Sequence, residues 1–186
     1  MTDTHEIVLA GFGGQGVMLM GQLITYAGML EGKGVSWLPS YGPEMRGGTA
    51  NCTVVVADGE IGSPVVSRPS SMVAMNLPSL LRFEPSVREG GALLYNNSLI
   101  TEKPGRADVR VLAVPANDVA AELGNAHVAN MVALGALLAV TGVVRVESVM
   151  DSLRKVLPGR HHHLLPLNRE ALERGIKIAA EAGLAR

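Results

Sequence analysis

The stretch from Leu9 to Gly21 reads LAGFGGQGVMLMG, and within it Gly11, Gly13 and Gly16 supply the spacing G-x-G-x-x-G, with Gly14 and Gln15 filling the turn. It follows the apolar run EIVLA and leads into VMLM, as a strand-to-helix turn does. Glycine allows the tight bend and close backbone approach. The first turn of the following helix then offers unpaired N–H groups and positive dipole to an anion. The chemistry on offer is anion binding, with a dinucleotide pyrophosphate as one occupant. The next checkpoint for that occupant is an acid after the second strand. That strand is expected over Val35 to Leu38, and it delivers Pro39, Ser40 and Tyr41 instead; Glu31 falls before Gly32 and Gly34, at the end of the helix. A lysine followed by Ser or Thr is also missing, which excludes a P-loop. The turn thus reads as anion-tolerant, or as glycine placed simply to pack helix against sheet.

A second loop carries more side-chain chemistry. Ser40-Tyr41-Gly42-Pro43-Glu44-Met45-Arg46-Gly47-Gly48 combines glycine and proline, which impose backbone shape, with a phenol, a carboxylate and a guanidinium fork. At the carboxyl side of a strand, such a loop lies where α/β proteins place ligands. A local Glu44–Arg46 pair is the plainer alternative. Other candidates carry less. His161, His162 and His163 are adjacent, so in a regular element they cannot all face one ion, and a solvated linker or subunit contact is expected. His127 reads as a cap or packing residue, and Cys52, in TANCTVVVA, as a buried structural thiol.

The elements that must position these loops alternate. A strand around Ile7 to Ala10 precedes the apolar helix QGVMLMGQLITYAGMLEG. GVSWLP is the next strand, and Thr49 to Ala57 is a long β-prone run. Asp58-Gly59 is a hairpin turn signal before Glu60 and Ile61. SSMVAMN, GALLYN and VRVLAVP are further strands, with NLP at Asn76 to Pro78 starting a helix. VANMVALGALLAVT, from Val128 to Thr141, is expected to be a buried helix. VESVMDSLRKVLPG is an amphipathic one, and HHHLLPLN bridges to a terminal helix REALERGIKIAAEAGLA. This alternation predicts an α/β fold: a three-layer α/β/α sandwich, mostly parallel, with an antiparallel hairpin excursion. The expected division is an α/β domain over 1–158 and a linker and helix over 159–186, packed on the same domain or a partner.

Composition bounds the function. The 186 residues are 47% hydrophobic and 18% charged, so some apolar surface is expected to be covered by partner subunits. A formal net charge of −1 gives no general attraction to nucleic acid or anionic membrane. No run approaches a membrane span, and MTDTHE lacks a signal-peptide pattern, so cytoplasm is the expected compartment. One cysteine excludes an intramolecular disulfide and a four-cysteine iron–sulfur cluster held by this chain alone.

GFGGQG at Gly11 to Gly16, SYGPEMRGG at Ser40 to Gly48, the segment through Ile61-Gly62-Ser63-Pro64 and HVANMVALGALLAVTG from His127 occur in that order, and REALERG adds a matching tail. Together they resemble the gamma subunit, or gamma domain, of the thiamine-diphosphate-dependent 2-oxoacid:ferredoxin oxidoreductases. The resemblance implies a subunit, inactive alone, of a complex that oxidatively decarboxylates a 2-oxoacid to an acyl-CoA and reduces ferredoxin. It implies alpha and beta partners holding thiamine diphosphate and Mg2+, a ferredoxin-like delta partner with [4Fe–4S] clusters, and coenzyme A as co-substrate. The two glycine loops would then bind a cofactor or brace a subunit junction, with no catalytic residue or metal ligand from this chain. The pattern is most similar to the 2-oxoglutarate enzymes. Branched-chain 2-oxoacid and indolepyruvate enzymes are the alternatives, and a free-standing dinucleotide- or flavin-binding protein is the alternative outside the family.

Overall fold

The computed structural model describes residues 4–40 and 49–186. Six strands form one sheet in the order β2-β3-β1-β4-β5-β6. They are β1 (Thr4–Phe12), β2 (Gly34–Ser40), β3 (Thr49–Ala57), β4 (Ser71–Ala74), β5 (Ala92–Asn96) and β6 (Arg110–Val114). β1, β4, β5 and β6 run parallel, whereas β3 is antiparallel to both β1 and β2. The helices are α1 (Val17–Leu30), α2 (Leu77–Phe83), α3 (Ala116–Glu122), α4 (Ala129–Thr141), α5 (Val146–Val156) and α6 (Leu165–Glu181).

Strand periodicity sorts the core into two layers. Ile7, Leu9, Val73, Leu94, Leu112 and Val114 face the layer of α1, α3, α4, α5 and α6. Val8, Ala10, Met72, Leu93 and Tyr95 face the layer that α2 covers through Leu80. The expected three-layer sandwich is therefore present, with helices on both faces of a mostly parallel sheet.

The antiparallel part lies elsewhere than the Asp58-Gly59 signal suggests. β3 zips against β1 from Phe12↔Thr49 to Thr4↔Ala57 and against β2 from Ser40↔Asn51 to Gly34↔Ala57. Both edges of β3 are thus filled by the time the chain reaches Asp58, and Glu60-Ile61 forms no strand. The turn packs under β2 instead, where a Cβ on Gly34 would fall on the Gly59 carbonyl oxygen. The antiparallel excursion is the β2–β3 pair.

α4 is buried on nearly every side, and Leu134 is wholly inaccessible, because the sheet covers one face and α6 the other. Gly135 and Gly175 make that second contact possible: a Cβ on the first would meet the Leu172 oxygen and on the second the Val132 oxygen. The terminal helix also begins earlier than the sequence suggests. GRHHHL is a 3-10 turn, Gly159–Leu164, that runs directly into α6, with Pro166 in its first turn where proline's missing N–H costs nothing.

Candidate functional site

β1 ends at Phe12, and the glycine turn follows at the carboxyl edge of the parallel strands, where open α/β sheets collect ligands. Gly11 is buried, and a Cβ there would come within 2.7 Å of Gln15 Oε1 and 2.9 Å of Met75 Cβ. Gly14 (φ +91°) and Gly16 (φ +73°) take left-handed conformations; Gly13 and Gly14 are exposed. Gly16 caps α1 without a side chain, and no acidic residue lies in the first helical turn.

Gln15 is committed inward. Its Oε1 accepts from the Phe12 N–H at 2.7 Å and from Asn76 Nδ2 at 3.4 Å, and its Nε2 donates to the Met75 oxygen at 3.1 Å. Asn76 in turn caps α2, its Oδ1 accepting from the Ser79 N–H at 2.9 Å. Asn130, on α4, lies against Gly16, with Nδ2 3.5 Å from the Gly16 oxygen. The turn is thereby tied to the ends of β1 and β4 and to α4, so its shape is set before any ligand arrives.

Two hollows flank it. A polar cleft of about 100 Å³ is lined by Gly14, Gln15, Asn117, His127 and Asn130 among others. An apolar hollow of about 340 Å³ is lined by Phe12, Val17, Met18, Leu19 and Ala50 beside the glycines. Among the described residues, neither lining contains Asp, Glu, Lys or Arg. Any anion here would meet backbone N–H groups and the α1 dipole, with formal charge supplied from elsewhere.

Ser40 is exposed at the end of β2, opposite Asn51. Tyr41, Gly42, Pro43, Glu44, Arg46, Gly47 and Gly48 lie outside the described residues. The two ends of their loop nevertheless flank the glycine turn, because Thr49 pairs with Phe12 and Ser40 leaves the sheet at the same edge. Motifs about thirty residues apart in sequence are therefore anchored together. Asn51 Nδ2, at this edge, is buried without a hydrogen-bond partner among the described residues.

β3 intervenes between β1 and β2, so the end of β2 is two strand spacings, roughly 10 Å, from the glycine turn. In a dinucleotide fold the two strands are neighbours and the acid on β2 grips the ribose. Here both the acid and the adjacency are missing.

Sequence reasoning did not single out Asn130, Asn76 or Asn117 as site residues. Asn130 carried a signal, being the only amide in the apolar run from Val128 to Thr141. Cys52 is fully buried, and burial pushes its thiol up to about 11, leaving it unreactive at neutral pH. Each of the three histidines is engaged locally: His161 Nε2 accepts from Arg160 Nε, His162 Nε2 lies 3.0 Å from the Leu157 oxygen, and His163 Nδ1 lies 2.9 Å from the Arg160 oxygen. Among the described residues, no group of three or more His, Cys, Asp or Glu could hold a metal ion, and no helix is long and apolar enough to cross a membrane.

The model of the pyruvate ferredoxin/flavodoxin oxidoreductase family matches residues 6–178. The chain belongs to this family. Within the pyruvate ferredoxin/flavodoxin oxidoreductases it is gamma-subunit-like. It is 31% identical to the gamma subunit of a keto/oxoacid ferredoxin oxidoreductase from Geobacter sulfurreducens, with a TM-score of 0.82 over 95% of this chain and 99% of that one. It is 40% identical over 178 residues to the ketoisovalerate oxidoreductase subunit VorA of Methanothermobacter thermautotrophicus, covering 95% of this chain and 36% of the relative. It is 38% identical over 160 residues to the 2-oxoglutarate synthase subunit KorC of the same organism, covering 82% of this chain and 85% of the relative. The chain thus spans about a third of one relative and most of the other.

Proposed function

We propose that the chain serves as the gamma-type part of a 2-oxoacid:ferredoxin oxidoreductase complex, acting on 2-oxoglutarate with coenzyme A as acyl acceptor. The observation that carries this reading is the internally braced glycine turn, free of Asp, Glu, Lys and Arg among the described residues, beside the anchors of the Ser40–Gly48 loop. Among the described residues such an edge offers shape, backbone donors and one imidazole, His127, but no carboxylate or thiol for the chemistry itself. Likeness to KorC over most of both chains supports the 2-oxoglutarate assignment.

The residues present do not fit the complex's redox groups. Cys52 is a single, fully buried thiol, so it cannot ligate a [4Fe–4S] cluster, and among the described residues the hollows around the turn have no carboxylate for Mg2+. In this reading thiamine diphosphate and Mg2+ belong to alpha and beta partners and the clusters to a ferredoxin-like delta partner. This chain's share is to close the site and hold an anionic or carbonyl group at the junction through Arg46, whose planar fork suits either.

A second reading, a branched-chain 2-oxoacid as substrate, is favoured by the identity to VorA. Purification of the native complex and assay of ferredoxin reduction with 2-oxoglutarate, 3-methyl-2-oxobutanoate, pyruvate and indolepyruvate separates them: the reading requires the highest kcat/KM with 2-oxoglutarate and dependence on coenzyme A. Arg46→Lys should leave subunit content unchanged and lower turnover at least tenfold, equivalent to about 1.4 kcal/mol of transition-state stabilisation. Purification as a free chain with one bound dinucleotide would overturn the proposal.

A further inference from the structure

We propose that the amino-terminal edge of the sheet carries a second site, independent of the glycine turn, that binds a phosphoryl oxyanion between Arg88, Arg110 and Arg186. A recess of about 70 Å³ opens there, lined by these arginines with His5, Ser70 and Gly91. His5 is the second residue of β1, Ser70 precedes β4, Gly91 precedes β5, and Arg110 is the first residue of β6. The glycine turn lies at the other end of β1, roughly 23 Å away at a strand's rise per residue.

The scaffold under the recess is fixed. Gly91 N–H donates to the Arg88 oxygen at 2.9 Å, Arg110 N–H donates to the Gly91 oxygen at 2.8 Å, and Arg88 N–H donates to the Pro69 oxygen at 3.0 Å. A Cβ on Gly91 would lie 2.7 Å from the Arg88 oxygen and 2.9 Å from the Ser70 oxygen, so three segments meet with no slack. The third arginine is docked by its backbone: Arg186 N–H donates to the Ala139 oxygen at 2.9 Å, and its Nη1 donates to the Thr141 oxygen at 3.2 Å.

Two of the guanidinium groups lining the recess, those of Arg88 and Arg110, face no carboxylate among the described residues, whereas five others on the surface do. Arg106, Arg145, Arg154, Arg169 and Arg174 each face a carboxylate. The side chains of Arg88 and Arg110 have neither an ion pair nor a hydrogen bond among the described residues. Asp108, two residues before Arg110, is committed to Arg106 through both oxygens, and Glu6 lies on the opposite face of β1 from His5 by strand alternation.

Guanidinium stays charged at any physiological pH, and its fork matches phosphate oxygens in pairs. Donors arriving from three segments suit a tetrahedral anion better than a carboxylate, which a single fork satisfies. The recess has room for several waters, hence for one such anion in their place. It does not enclose a larger body, so a phosphomonoester would enter phosphoryl end first. Free phosphate and a phosphomonoester share this chemistry.

Calorimetric titration of the full chain with inorganic phosphate and with glucose 6-phosphate, at ionic strength held constant with potassium chloride, tests the site. Saturable one-to-one binding is expected. Arg88→Gln/Arg110→Gln should weaken it about tenfold or more, and Arg154→Gln/Arg169→Gln, with the same charge change, should leave it intact. Tighter phosphate identifies the free ion as the ligand, and tighter glucose 6-phosphate identifies an ester; either supports the site. Arg88 is exposed and Arg110 half-buried, and neither side chain has a partner among the described residues, so the Gln pair should keep the wild-type unfolding midpoint in chloride. As a check that does not depend on that, Arg88→Lys/Arg110→Lys should bind between wild type and the Gln pair. Absence of saturable binding, or equal loss in the control pair, overturns the proposal.

Discussion

Asn130 of α4 occupies the space that a Cβ on Gly16 would need, its Cγ standing 2.7 Å from that position. The relation links the glycine turn to the helix behind it. It separates two roles that a glycine motif confounds, backbone freedom and close packing.

Gly14 and Gly16 test that separation. Both adopt positive φ, so alanine at either should cost about 1–2 kcal/mol in left-handed strain. Gly14 looks onto open space, whereas Gly16→Ala must also displace Asn130 and should lose a further ~1–3 kcal/mol. Urea unfolding midpoints check the difference. Asn130→Ala in the Gly16→Ala background should recover most of the extra loss.

Gln15 should behave as a brace. Gln15→Ala orphans the Phe12 N–H and the Met75 oxygen and should destabilise the chain by about 1–3 kcal/mol. Were its amide instead a ligand contact, the unfolding midpoint would stay put while turnover of the assembled complex fell.

The turn, most strands and the buried helix were legible because each is a local pattern: GFGGQG between apolar runs, alternation in IVLA and ALLYN, and an apolar stretch too long for a strand. What was hidden is pairing at a distance. Nothing around Thr49 to Ala57 states that β3 will fill both neighbours, so Asp58-Gly59 read as a hairpin turn. Nothing in GFGGQG names Asn130, 114 residues on from Gly16, as the side chain that fits against it. HHHLLPLN read as a bridge, whereas its proline sits in the first turn of α6, where proline is tolerated. The loop around Arg46 was found as chemistry, and only its anchors at Ser40 and Thr49 tell which edge of the sheet it serves.

The α4–α6 crossing depends on two glycines whose replacement has nowhere to go. Gly175→Ala would drive a methyl group into the Val132 oxygen, a backbone atom that cannot rotate away. A loss at or above the upper end of the about 1–3 kcal/mol typical of overpacking is expected, with a matching loss from Gly135→Ala. Thermal unfolding of the two variants measures it; an unchanged midpoint would show that α6 does not rest on α4 in solution.

Cys52 is wedged against α1, where a Cβ on Gly21 would lie 2.5 Å from its Sγ. With burial holding the thiol near 11, iodoacetamide at pH 8 should leave the native chain unlabelled and label it promptly in denaturant. Labelling of the folded chain at the same rate would contradict the packing.

Glu31 should give the chain a measurable dependence on acid. It ends α1, its side chain is 9% exposed, and Oε1 accepts from the Arg145 N–H at 2.7 Å, where α5 begins. Burial by itself would raise its pKa. The Arg145 N–H, the Ser148 hydroxyl and the charges of Lys33 and Arg145 together outweigh that and hold the carboxyl below its ordinary value of 4.5. The folded state therefore binds fewer protons than the unfolded state between the two values. The stabilisation is fully present above 4.5 and is lost as pH falls through the folded-state pKa. Glu31→Gln keeps an acceptor for Arg145 but discards the charge, and should cost about 1.5 kcal/mol at neutral pH. Urea midpoints of the two proteins should converge as the pH is lowered from 5 towards 3. A gap of constant size over that range would mean that the amide's shape, and not the carboxylate's charge, accounts for the loss.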